Sequence, residues 1–280
     1  MTTVDPALIA EACTALGVSD LNSIGAPGGQ KVVRHVRRGS DDLVLKIIAI
    51  RSSSPTTLAR AEREVELLKS LASEHVVRVE SDLVQLGAPV HGAAWLEEFL
   101  DGGDLTGYLG TQWSWTDTAR MGLQIADGLA AAHAVGVIHR DLSSNNVRRL
   151  SDGTYKVMDF GFARHTLRSG LTVAGQPGTP GFLSPEHLNA YSGVPMPASD
   201  VFGVGTLMYV ALTGELPIPY AGDDVDYVNR LSKVQIIDIA VGRPDLAADQ
   251  QALIRRALHP QPARRFLSGR KLADALGPLT

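Results

Sequence analysis

The stretch VIHRDLSSNNVRRL, residues 137–150, sets a carboxylate, Asp141, five positions ahead of a carboxamide, Asn146. A second carboxylate, Asp159 in MDFG, follows 18 positions after the first. A carboxylate can accept a proton from a hydroxyl, and carboxylate and amide oxygens suit a hard divalent cation. Upstream, Lys46 stands inside the apolar run LVLKII, Glu64 lies within RAEREVELLKSL, and NSIGAPGGQ is a glycine-rich turn whose backbone N–H groups can approach a phosphate. Each signal alone is weak. His-Arg-Asp and Asp-Phe-Gly arise by chance, a strand lysine can snorkel at a sheet edge, and a glutamate in a charged helix is ordinarily solvated. Their order along one chain is the informative part.

These groups need elements to hold them. Asp5 and Pro6 open a short helix, Asp5 as cap and Pro6 at the first helical position. KVVRHVRR and LVLKIIAI, joined by GSDD, read as a β-hairpin with Lys46 in its second strand. Pro55 starts a helix on which Leu58, Ala61, Val65, Leu68 and Leu71 recur at helical spacing. HVVRVESDLVQLG and HGAAWLEEFL read as further strand. From Gly102 the chain turns mainly helical, with Met121, Ile125, Leu129 and Ala132 on one face of TDTARMGLQIADGLAAAHAVG. The expected fold class is α+β, with two lobes. Residues 1–20 form an N-terminal helical extension, 21–100 a small β-rich lobe and 101–280 a larger α-helical lobe, the seam lying near DGG at 101–103.

Composition narrows the function. At 280 residues the chain can bury a core without staples, and a net charge of -4 supplies no field to recruit nucleic acid. The basic run KVVRHVRR alternates with apolar residues and reads as a solvated strand face. Cys13 is the one cysteine, so no internal disulfide exists, and its apolar surroundings read as core. The first residues lack a basic signal-peptide segment, and VFGVGTLMYVALTG is too short and glycine-rich to span a bilayer. It reads as a buried helix. The eight histidines show no paired ligand spacing. The expectation is a cytoplasmic protein with no membrane or nucleic-acid partner.

Glycine-rich turn, strand lysine, helix glutamate, His-Arg-Asp, Asp-Phe-Gly and Pro-Glu, in that order, resemble the protein kinase family of eukaryotic-like serine/threonine type, in a bacterial-type soluble form. The resemblance covers roughly residues 21–275. It implies a two-lobed protein kinase-like fold, ATP as phosphoryl donor, Mg²⁺ (or Mn²⁺) as cation, and protein substrates. On this resemblance Asp141 is the catalytic aspartate, Asn146 and Asp159 hold the metal, and Lys46 pairs the nucleotide's phosphates with Glu64 as its helix partner. Gly25, Gly28, Gly29 and Val33 correspond to the lid over the phosphates. Glu98 and Leu100 would offer backbone groups to adenine, and Asp104 would reach the ribose. GTPGFLSPE resembles the substrate-docking loop, with Thr179 contacting the catalytic aspartate. Asp200 would brace the catalytic loop, and Glu186 would pair with Arg265. Thr172, Thr166 and Ser169 are candidate phosphorylation sites, with Arg140 and Arg164 to pair the phosphate.

The pattern also breaks. Pro27 and Gln30 stand where the family's glycines belong. Ser143 replaces the lysine of serine/threonine kinases, and Asn145 replaces the arginine of tyrosine kinases, so neither cation is present. A lost positive charge near the transferring phosphate should slow the reaction, with Arg148 or Lys31 as substitutes. Glu97 falls where an apolar gatekeeper is usual, and a carboxylate there needs a partner or a raised pKa. The expected function is an ATP- and Mg²⁺-dependent serine/threonine protein kinase that autophosphorylates its activation loop, as a homodimer for transfer in trans. The alternatives are a pseudokinase that binds nucleotide or partners, and a small-molecule kinase. The segment ending in Pro-Glu argues against the second.

Overall fold

A computed structural model describes residues 5–24, 31–50, 55–160, 179–188 and 196–280. These separate into two compact units, one holding 5–72 and 77–100, the other holding 73–76 and the described residues from 101 onward. The fold class is α+β.

The first unit is a five-stranded antiparallel sheet with two helices. Its strands are β1 (Ser19–Ser23), β2 (Lys31–Arg38), β3 (Asp41–Ala49), β4 (Val84–Leu86) and β5 (Gly92–Glu98), in the order β1-β2-β3-β5-β4. Its helices are α1 (Pro6–Leu16) and α2 (Pro55–Ser70). Side chains alternate across a sheet, so each strand feeds two faces. Leu43, Leu45 and Ile47 of β3 join Ala94 and Leu96 of β5 on one face, and Leu8 and Ala12 of α1 pack onto them. Lys46 lies on the opposite face, in register with Val33 of β2 and Trp95 of β5.

The helix α1 forms for local reasons. Asp5 Oδ1 accepts from the Ala7 N–H at 2.9 Å, Pro6 fills the first turn, and Gly17 ends the helix in left-handed conformation, φ 63°. Glu11 Oε1 accepts from the Gly87 N–H at 2.7 Å and ties the helix to the end of β4. Cys13 is half-buried against this core, and burial pushes its thiol above the usual range. Two charges of the basic strand β2 are paired within the unit: Arg34 with Asp20 and Arg37 with Asp42.

Two departures from the sequence reading concern strands. HVVRVESDLVQLG supplies only the three residues of β4 plus isolated bridges at Val76 and Val79. The strand β1 was not anticipated, because SDLNS is exposed at every position and offers no alternation to read.

In the second unit, a small sheet of β6 (Gly103–Asp104), β7 (Val147–Arg149) and β8 (Tyr155–Val157) accompanies helices α3 (Trp115–Ala134), α4 (Pro197–Thr213), α5 (Asp224–Ser232), α6 (Ile239–Gly242), α7 (Ala248–Ala257) and α8 (Gly269–Leu276). The expected helical face of α3 is fully buried at Met121, Ile125, Leu129 and Ala132. The run VFGVGTLMYVALTG lies in α4, which is buried from Ala198 to Leu212. Close packing there needs glycine: a Cβ on Gly205 would stand 2.9 Å from the Ala257 Cβ of α7. A Cβ on Gly269 would meet the Ala126 carbonyl of α3 at 2.4 Å. This packed helical layer is the base on which the loop carrying Asp141 rests.

Candidate active site

Asp200 lies in the first turn of α4, where the helix dipole favours a carboxylate. It accepts the His139 N–H at 2.8 Å and the Arg140 N–H at 2.9 Å, so the loop before Asp141 is pinned by its backbone. Arg140 is held at φ 68°, a conformation uncommon for any residue but glycine. His133 Nδ1 accepts from the Gly269 N–H at 3.0 Å, which leaves Nε2 to donate to Asp200 at 2.9 Å. The brace thus reaches from α8 through α3 and α4 to the loop.

Asp141 is 6% exposed and both carboxylate oxygens have partners. Thr179 Oγ1 donates to Oδ1 at 2.9 Å. Asn146 Nδ2 donates to Oδ2 at 3.2 Å and to the Asp141 carbonyl at 2.7 Å. With its nitrogen so committed, Asn146 keeps Oδ1 as a hard oxygen donor. Asp159 is tied to the same loop through its neighbour. The Met158 N–H donates to the Asn146 carbonyl at 2.8 Å, and the Met158 carbonyl accepts from His139 Nε2 at 2.8 Å. Asp159 itself has φ 53°, and Phe160 beside it is buried with its ring 4.9 Å from that of His139. Two oxygen donors on one braced loop system suit a hard cation. Among the described residues no group of three or more His, Cys, Asp or Glu forms a self-sufficient metal cage.

The segment around Pro185 and Glu186 is fastened in two ways. Arg265 spends all five N–H donors: on Glu186 Oε1 and Oε2 at 2.6 and 2.8 Å, and on the carbonyls of His259, Ala198 and Pro260. Burial pushes the Glu186 carboxyl up, but the bonds to Arg265 and its charge outweigh this and hold it below the usual range. A second fastening was not read from sequence. His187 Nδ1 accepts from Ser184 Oγ at 2.7 Å, and its Nε2 donates to the Arg140 carbonyl at 3.2 Å.

In the first unit, Lys46 Nζ lies 2.6 Å from Glu97 Oε2, with both residues under 5% exposed. Trp95 Nε1 donates to Glu97 Oε1 at 3.0 Å. The Glu97 carboxylate therefore has the partners its burial demands. The sequence reading named Glu64 for Lys46. Glu64 is buried on α2, and the strand carboxylate Glu97 stands on the Lys46 ammonium. Trp95 was missed, although Trp-x-Glu places both side chains on one strand face.

Other expected positions fall as follows. The Glu98 N–H donates to the Arg78 carbonyl at 2.9 Å. Leu100 is buried, Val33 is half-buried opposite Lys46, and Asp104 is exposed on β6 opposite Arg148. Ser143 is fully buried, and its Oγ has no hydrogen-bond partner among the described residues. Arg148, expected as a substitute cation, donates to the Gly102 carbonyl. Gly25, Gly28, Gly29, Arg164, Thr166, Ser169 and Thr172 lie outside the described residues, as does the side chain of Lys31. No described helix is long and apolar enough to cross a membrane.

Comparison with known proteins places this geometry. The family model described as the protein kinase domain matches residues 18–273. The chain is similar to the serine/threonine-protein kinase drp72 of Corynebacterium efficiens, 29% identical over 245 residues, covering 84% of this chain and 45% of that protein. It is similar to the CBL-interacting serine/threonine-protein kinase 1 of Arabidopsis thaliana, 32% identical over 210 residues, with 73% and 45% covered. It is also similar to the serine/threonine-protein kinase PknK of Mycobacterium tuberculosis, 30% identical over 272 residues, with 93% and 23% covered. The chain spans less than half the length of these relatives.

Proposed function

The chain belongs to the protein kinase family, among the serine/threonine kinases, and from that premise we propose that it transfers the γ-phosphoryl group of ATP to serine or threonine hydroxyls of proteins. The observation that carries this reading is the Asp141 carboxylate, fixed from two sides by Thr179 and Asn146 on a loop braced by Asp200. A carboxylate so held can orient an incoming hydroxyl and take its proton as the new P–O bond forms and ADP departs.

Asn146 Oδ1 and the Asp159 carboxylate are the residues that would hold Mg²⁺, or Mn²⁺, which would supply positive charge to the phosphates. Lys46 is the cation the first unit offers to phosphate. Ser143 brings no charge to the reacting centre, and its burial removes the hydroxyl from contact with solvent. The transfer should therefore be slower than with a lysine at that position. Autophosphorylation on the activation segment, with Thr172 as first candidate and a second copy as substrate, belongs to the same proposal. So does a cytoplasmic site of action, where ATP is available.

The test is incubation of the chain with Mg²⁺ and ATP, followed by peptide mass spectrometry. Phosphate on serine or threonine, lost in Asp141→Ala and on chelation of the metal, is the expected result. Nucleotide binding without transfer to itself or to a generic acceptor protein would turn the reading toward a nucleotide-dependent scaffold.

A further inference from the structure

Glu97 is the feature the family pattern leaves unexplained. It lies on β5 two residues beyond Trp95, and the period of a strand brings both onto the face that carries Lys46. Its carboxylate is clamped by the Lys46 ammonium at 2.6 Å and the Trp95 indole N–H at 3.0 Å. Both charges are nearly removed from water, where opposite charges attract and like charges repel more strongly than at the surface.

We infer that Glu97 is an internal counter-anion that competes with the nucleotide's phosphates for Lys46. A phosphate approaching the ammonium gains attraction from Lys46 and meets repulsion from a carboxylate that is already bonded to it. The consequence is weak discrimination between phosphate-bearing nucleotides and adenosine, because the lysine's charge is largely spent inside the protein. The inference rests on the reading that Lys46 meets phosphate in this chain.

Glu97→Gln separates the possibilities, because the amide keeps the length of the side chain and an oxygen for Trp95 while losing the charge. Binding of ATP, ADP and adenosine is measured by calorimetry, alongside melting without ligand. The variant should bind ATP and ADP about tenfold more tightly and leave adenosine within about twofold, while melting lower without ligand. A merely structural role would weaken all three ligands together. Glu97→Met should act in the same direction and serves if the glutamine variant fails to fold. In the unaltered chain, ATP should bind no more than about tenfold more tightly than adenosine; a preference of about a thousandfold overturns the inference.

Lys46→Met, measured in parallel, tells the two readings apart. If ATP binds this variant as it binds the unaltered chain, the lysine does not meet phosphate and both readings fail at this residue. If Lys46→Met weakens ATP while Glu97→Gln leaves the ratio of ATP to adenosine unchanged or lower, only the counter-anion is overturned. If the unaltered chain binds no ATP, binding gained by Glu97→Gln supports the inference and continued silence sinks it.

Discussion

Each unit buries a short cation–carboxylate pair, and the two are built to different ends. Glu186–Arg265 in the second unit and Glu97–Lys46 in the first both close to 2.6 Å. Arg265 has five donors in a rigid fork, and every one is spent on protein oxygens. Such a pair has nothing left to offer a ligand and serves to hold the segment around Glu186 against the first turn of α4 and the loop after α7. Lys46 is a compact, strongly hydrated charge on a flexible stem, and Glu97 is one of its partners. It can be shared with or drawn away by another anion. Similar burial and distance thus give a fixed strut in one place and an exchangeable contact in the other.

Breaking the strut should have the largest effect. Arg265→Met leaves Glu186 buried without its cation and should lower stability by about 3–5 kcal/mol in chemical denaturation. Lys46→Met should cost less, about 1–3 kcal/mol, because Trp95 still serves Glu97, yet it should slow phosphoryl transfer at least about a hundredfold. A mutant that loses more stability at Lys46 than at Arg265 would erase the distinction.

Acid sharpens the comparison. The Glu186 carboxyl is held below its ordinary value in the folded chain, so it binds a proton less readily folded than unfolded. Its contribution is fully present above the unfolded carboxylate range, near about 4.3, and is lost as pH falls through the lower folded value. Denaturation midpoints followed from pH 7 to pH 3 should fall at the acid end, and Arg265→Met should flatten that part of the profile. Trp95→Phe is the smallest change, removing one donor from Glu97, and should cost about 1 kcal/mol with the Lys46 pair retained. An unaltered melting temperature would mean that the indole bond contributes nothing to holding the carboxylate.

Local chemistry explains which parts could be read from sequence. Asp5-Pro6, the GSDD turn and the 3.6-residue spacing of α3 act over a few residues, and the elements appear where they were expected. Asp141, Asn146 and Thr179 were named from the family resemblance of their motifs and lie within hydrogen-bond reach. The rest depends on tertiary placement. The strand β1 has no buried face to betray it, and β6 to β8 are two or three residues long. The partnership of Glu97 with Lys46 depends on β5 pairing with β3 in one register, which no window along either strand contains. Ser143 reads as a polar loop residue, and only the packed fold shows it sealed away.

The family match begins at residue 18, just after α1 ends. A chain trimmed to the matched residues would lose Leu8 and Ala12, and with them the cover over Leu45, Ile47 and Leu96. That strip would then face solvent as a sticky apolar patch, and self-association during purification would be the practical cost of cutting at the domain's apparent edge.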